Sequence, residues 1–128
     1  MMEVSTGIVE SVSAPPLAPV DQPIDVSHLA RMTLGDSSLE REVLQLYDRQ
    51  AEMLLARMQQ AAPAAAAAYA HTLKGSSSGI GAWKVAQAAE AVERAATTCS
   101  PDIGTAVINL GIAIGEARTV IAELLRAH

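Results

Sequence analysis

Apolar positions recur at helical spacing from about residue 24 to the end of this 128-residue chain. The cleanest stripe comes last: Ile103, Ala106, Val107, Leu110, Ile114, Ala117, Ile121, Leu124 and Leu125. It follows Ser100 as N-cap, Pro101 at the first helical position and Asp102 beside the helix dipole. Before it, Val85, Ala88, Ala89, Val92, Ala96 and Cys99 form one side of a helix over about 82–98, with Lys84, Gln87, Glu90 and Arg94 outside the stripe. Pro63 opens another helix, built on the Ala run 64–68 and ended by Gly79 and Gly81. A capping box, Ser37-x-x-Glu40, starts a helix reaching about Gln60, with Leu39, Val43, Leu46, Met53 and Leu54 along one side. Gln50 and Arg57 interrupt that stripe; Arg57 is expected at an end of the fold with its head in water. Ile24, Val26, Leu29 and Met32 predict a short helix over 25–32, capped by Asp25 or Ser27 and stopped by Gly35. His28 within it reads as an exposed or capping residue.

Four long amphipathic helices joined by short Gly, Pro and Ser turns predict an all-α fold, an antiparallel four-helix bundle with a short extra N-terminal helix. Residues 1–23, rich in Ser, Val, Ala and Pro, lack any periodicity and predict a disordered tail, leaving 24–128 as one domain. Half the residues are hydrophobic but only 2% are aromatic and Phe is absent, so the core is built from Ala, Leu, Ile, Val and Met. Such a core suits closely approached helices. A net charge of −5 without a basic stripe argues against nucleic acid as a partner. The lone Cys99 excludes an internal disulfide and fits a reducing compartment. Glu3 and Glu10 and the lack of an apolar h-region argue against a signal peptide. The last apolar run, interrupted by Asn109 and several Gly, reads as too short to span a bilayer. A soluble, cytoplasmic monomer is expected.

One stretch carries chemistry: Ala70 to Ala82, Ala-His-Thr-Leu-Lys-Gly-Ser-Ser-Ser-Gly-Ile-Gly-Ala. At helical spacing His71, Lys74, Gly75 and Ser78 share one face, continued by Ala64, Ala67 and Ala68. Tyr69, Leu73 and Ile80 share the opposite one, with Ser76 and Ser77 close by and read as structural. A neutral imidazole is a competent nucleophile near pH 7. An ammonium beside it, amid very small neighbours, makes a docking spot for a phosphoryl donor. Gly75 costs about 1 kcal/mol relative to Ala in a helix interior, which is understandable if a side chain there would crowd the ring or a partner. From Met53 to Ala89 there is no Asp or Glu, while Arg57, Lys74 and Lys84 lie in that span, leaving a cationic segment around the imidazole. His28, His71, Cys99 and His128 lack metal-ligand spacing, so no metal is expected.

This stretch resembles the motif of the histidine-phosphotransfer (HPt) domain family of two-component phosphorelays, His-x-Leu-Lys-Gly-Ser/Ala-Ser followed by a small residue and Gly. The match falls on His71, Leu73, Lys74, Gly75, Ser76, Ser77, Gly81 and Ala82. The resemblance implies the same helical architecture and His71 as the phosphorylated residue. It implies a phosphoryl group taken from an aspartate of a receiver domain and passed reversibly to another, with a hybrid sensor kinase as a possible further partner. Lys74 is then placed to meet the phosphoryl oxygens and Ser78 to donate a hydrogen bond. There is no nucleotide loop and no acidic magnesium cluster, so no kinase activity and no cofactor of its own are expected; Mg²⁺ is expected on the receiver. The family's docking mode nominates Leu29, Met32, Leu34, Ala64, Ala67 and Ala68 as partner-binding residues. Glu93, which stands where some relatives carry a polar residue near the imidazole, reads as exposed from its own stripe, and Gln50 as a boundary residue that could also reach the histidine. The reading from a different class is a helical interaction module that binds receivers or a kinase without phosphorylation.

Overall fold

The computed structural model describes residues 22–127. The tail predicted at 1–23 lies outside the described residues except for Gln22 and Pro23, and so does His128. Five helices follow one another: α1 (Val26–Met32), α2 (Ser37–Met58), α3 (Pro63–Ile80), α4 (Trp83–Thr97) and α5 (Ile103–Ala127). No strand occurs among the described residues. The long helices pack α2 on α3, α3 on α4, α4 on α5 and α5 on α2, and α1 lies against α3.

The core follows from small and branched apolar residues. Leu44, Leu73, Val85, Val92, Leu110 and Ile121 are fully buried, each larger side chain contributing about 1.5–3 kcal/mol. Between them lie Ala51, Ala66, Ala70, Ala89 and Ala117, which let helix axes approach closely. One polar pair crosses this core, the Tyr47 hydroxyl lying 2.7 Å from Ser77 Oγ between α2 and α3.

α2 turns a different side inward from the one its pattern suggests. The buried row is Leu44, Tyr47, Ala51, Leu54 and Met58, while Leu39, Leu46 and Met53 are exposed. Leucines on several sides of this helix hid the true periodicity. Its cap also differs: Asp36 is the N-cap, accepting from the Leu39 N–H, and Ser37 is the first helical residue. α5 begins at Ile103, with Ser100 Oγ accepting from the Asp102 N–H in the turn before it. Cys99 belongs to no stripe; it is exposed at the end of α4 with a φ of 50°. Leu34, not Gly35, takes the first left-handed position after α1, with a φ of 55°.

α3 ends as expected. Gly81 has a φ of 82°, its N–H donates to the Ser78 carbonyl, and the Ala82 N–H donates to the Ser77 carbonyl. Asp25 packs onto this corner. Its N–H donates to the Gly81 carbonyl, its Oδ1 caps α1 by accepting from the His28 N–H, and its Oδ2 accepts from Trp83 Nε1 at 3.0 Å. The Trp83 bond is the main reason why the Asp25 carboxyl titrates below its ordinary value. His28 is therefore no exposed residue: its ring lies 4.9 Å from that of Trp83 and its Nε2 is buried.

α5 runs for 25 residues without a break at Asn109 or its glycines, so the apolar run is long enough by length and composition to cross a membrane. Core helices of soluble proteins pass the same test, and Leu110, Ile114, Ala117 and Ile121 are buried within the fold.

Candidate functional site

The site is built on α3 because Pro63 fixes where the helix starts and Leu73, Ser77 and Ile80 fix which side faces the core. His71 then faces outward, its side chain 68% exposed. Gly75 lies one turn on, and a Cβ built there meets nothing within 4 Å. A side chain at this position would not crowd the ring within the chain itself; the bare backbone leaves room for something from outside. Ala64 and Ala68 are exposed and Ala67 is half-buried, so the low surface extends back along the helix. Ser78 is half-buried on the same side and bonds to neither His71 nor Lys74.

The ring is not unsupported. Nδ1 lies 2.9 Å from Glu93 Oε2, across the seam between α3 and α4. A carboxylate accepts at this distance, so Nδ1 carries the proton and Nε2 keeps the lone pair. The other oxygen, Oε1, is 3.1 Å from Lys74 Nζ. One carboxylate thus holds both the imidazole and the ammonium. Lys74 first and then His71 keep the Glu93 carboxyl below its ordinary value, against a partial loss of water.

Three expectations change here. Glu93 is no exposed bystander, and the cationic segment read from residues 53–89 has a carboxylate folded against it from α4. Lys74 is not a free point charge: it is in an ion pair, although one that keeps it beside the histidine. Glu93 escaped the sequence reading because its contact crosses two helices. Only the packing of α4 on α3 reveals which residue outside the α4 stripe meets the rim of α3. Gln50 does not reach the imidazole; it lines a shallow groove with Leu46, Tyr47 and Ser76 on the α2 side.

The docking candidates separate cleanly. Leu29 has no exposure and belongs to the core, because it sits on the side of α1 that packs down on α3. Met32 and Leu34 are open to solvent, at 57% and 89% exposure. Leu46 and Met53, read as core from periodicity, are exposed instead on α2. Among the described residues no three His, Cys, Asp or Glu side chains gather as a metal site.

Comparisons with known proteins agree with this geometry. A solved structure from rice, described as that of a histidine-containing phosphotransfer protein, matches with a TM-score of 0.73. The match covers 81% of this chain and 80% of that one at 19% identity, which speaks for a shared fold. No curated protein matches at a significant level. The family model for the Hpt domain matches residues 42–127, most of the chain including His71, Lys74 and Glu93. This chain therefore belongs to the Hpt domain family, and its role is phosphotransfer in two-component signalling.

Proposed function

We propose that His71 is a reversible phosphoryl carrier, loaded by an aspartyl phosphate of one receiver domain and unloaded onto the aspartate of another. The observation that carries this reading is the pairing of an exposed imidazole with a carboxylate at Nδ1, which leaves Nε2 as the outward nucleophile. In the transfer Nε2 attacks phosphorus, the N–P bond forms, and the P–O bond to the aspartate breaks with the carboxylate as leaving group. The ring keeps its Nδ1 proton and gains positive charge, which Glu93 is placed to offset. Positioning and charge neutralisation supply most of the catalysis in such a step.

Lys74 completes the site by exchange. In the resting chain it serves Glu93 Oε1 at 3.1 Å; a phosphoryl group on Nε2 offers it a more highly charged acceptor nearby. Gly75 and the Ala64, Ala67 and Ala68 surface admit the receiver to the ring, and Ser78 is a further donor on the same side. Magnesium is supplied by the receiver. The architecture we infer is an antiparallel four-helix bundle of α2 to α5 with α1 laid across one end, in keeping with the helix contacts.

The receiver is inferred to seat on Met32, Leu34, Leu46 and Met53 around the polar centre. Leu34 supports this. Its left-handed backbone costs about 1–2 kcal/mol for a residue with a side chain, yet that side chain is 89% exposed. Strain held at an exposed apolar residue points to an external contact.

The test incubates the protein with a phosphorylated receiver and looks for label that is acid-labile and base-stable. His71→Gln is expected to remove it. Label that persists in that variant, or none in the unaltered chain with any competent receiver, overturns the proposal and favours an interaction module.

A further inference from the structure

A phosphoryl group held on Nε2 changes what Nδ1 can do. In the resting ring Nδ1 carries its proton against Glu93 Oε2 at 2.9 Å. Attack by Nε2 leaves the ring a cation, and a cationic ring has two fates while it waits for the next aspartate. It can lose the Nδ1 proton to water and become neutral, or keep it and stay an imidazolium. Only the second form delivers directly. When the N–P bond breaks, its electron pair returns to Nε2. A ring that still carries the Nδ1 proton then leaves as neutral imidazole, whereas a bare ring would have to leave as imidazolate, a far poorer leaving group.

We propose that Glu93 retains the Nδ1 proton for as long as the phosphoryl group is stored, so that loading and unloading His71 exchange no proton with solvent. This rests on the carrier reading and adds the identity of the stored species, a phosphoimidazolium. The kind of side chain at position 93 carries the inference. A carboxylate only accepts, so it bonds to a protonated Nδ1 and repels the lone pair of a bare one. An amide in the same place could turn its N–H toward the bare nitrogen and serve either form.

The surrounding charges favour retention. The ring lies on the seam of α3 and α4, to which α3 brings Lys74 and α4 brings Glu93. One turn back on α4, Glu90 is engaged with Arg94 at 3.5 Å. Lys74 and His71 hold the Glu93 carboxyl below its ordinary value, so it is charged at neutral pH. In the resting chain Lys74 Nζ shares that charge from 3.1 Å and opposes a positive ring. Once Lys74 turns to the phosphoryl oxygens, the carboxylate faces the imidazolium alone. Phosphorylation therefore tightens the hold on which delivery depends, and an adjacent opposite charge moves a titration by about 1–3 pH units.

The test loads the full chain from a phosphorylated receiver and follows the ring nitrogens of the phosphorylated protein by NMR against pH, beside Glu93→Gln. The natural chain should keep a protonated Nδ1 to about 1–3 pH units above the variant. Unloading onto a fresh receiver should follow the same two profiles, each rate falling about tenfold per pH unit above its own ring's titration. Coincident titrations in the two proteins overturn the inference while leaving the carrier reading intact, as does a natural chain whose Nδ1 is bare at neutral pH. Failure of the unaltered chain to form any phosphohistidine overturns the carrier reading and this inference with it.

Discussion

Raising the pH on Tyr47 probes the packing that sets α3 against α2. The phenol is buried with its hydroxyl 2.7 Å from Ser77 Oγ. Burial pushes its pKa up from 10.0 to about 12, the Ser77 bond opposing the shift. The native chain therefore keeps this proton until about pH 12, whereas the unfolded chain releases it near pH 10. The contribution is complete below the unfolded value and is lost as pH climbs through the folded one. Its full size is about 2.7 kcal/mol, approached with a slope of about 1.4 kcal/mol per pH unit. Urea unfolding followed by far-UV circular dichroism, on the natural chain and on Tyr47→Phe between about pH 9 and about pH 11.5, isolates it. Every other group is the same in both chains and cancels in the comparison. The natural chain should lose stability over this range relative to the variant. Parallel curves would refute the argument, because they would mean that water reaches the phenol in the native state. Ser77→Ala supplies a check near neutral pH. It strands the buried hydroxyl at a cost of about 1–3 kcal/mol, which is several degrees in Tm for a domain of this size.

Other perturbations bear on the site and its supports. Glu93→Gln should leave the fold intact and slow phosphoryl acceptance about tenfold, the scale of losing a positioning contact; an unchanged single-turnover rate would remove Glu93 from the mechanism. Because Lys74 and His71 depress the Glu93 carboxyl, its hold on the ring is present above the ordinary carboxylate range and lost as pH falls through the lowered value, so the natural chain and the variant should be compared near neutral pH, where the carboxylate is charged and the imidazole is a nucleophile. Gly81→Ala combines a φ of 82° with a Cβ 2.9 Å from the Asp25 Cβ and carbonyl oxygen. It should destabilise by about 2–4 kcal/mol, and an unaltered melting curve would count against that corner being close-packed. Leu29→Asp should unfold the chain, whereas Met32→Asp should fold normally and slow transfer from the receiver; normal transfer by Met32→Asp would move the docking surface elsewhere.

Much of this is legible in the sequence. α3 was readable because Pro63 and Gly81 mark its ends by backbone chemistry alone, and the outward face of His71 followed from the positions of Leu73 and Ile80. α5 was readable because its apolar residues keep one period across its length. α2 was misread because the residues that make an external surface, Leu46 and Met53, look like core in a pattern that records hydrophobicity and not its destination. Leu29 failed for the converse reason: on a short helix, two apolar residues three apart can be divided between core and solvent. The His71–Glu93–Lys74 contact lay out of reach, since it joins residues 22 apart in sequence through the way two helices happen to be rotated.

Asp25 gives the short first helix a mechanical meaning. A single residue starts α1, grips the last carbonyl of the α3 corner and receives the indole at the head of α4. A push at Met32 or Leu34 is therefore a torque on a lever pivoted at that residue. Whatever leans there also loads the end of the rod that carries the imidazole, so the lever cannot be lifted without loosening the joint it turns on.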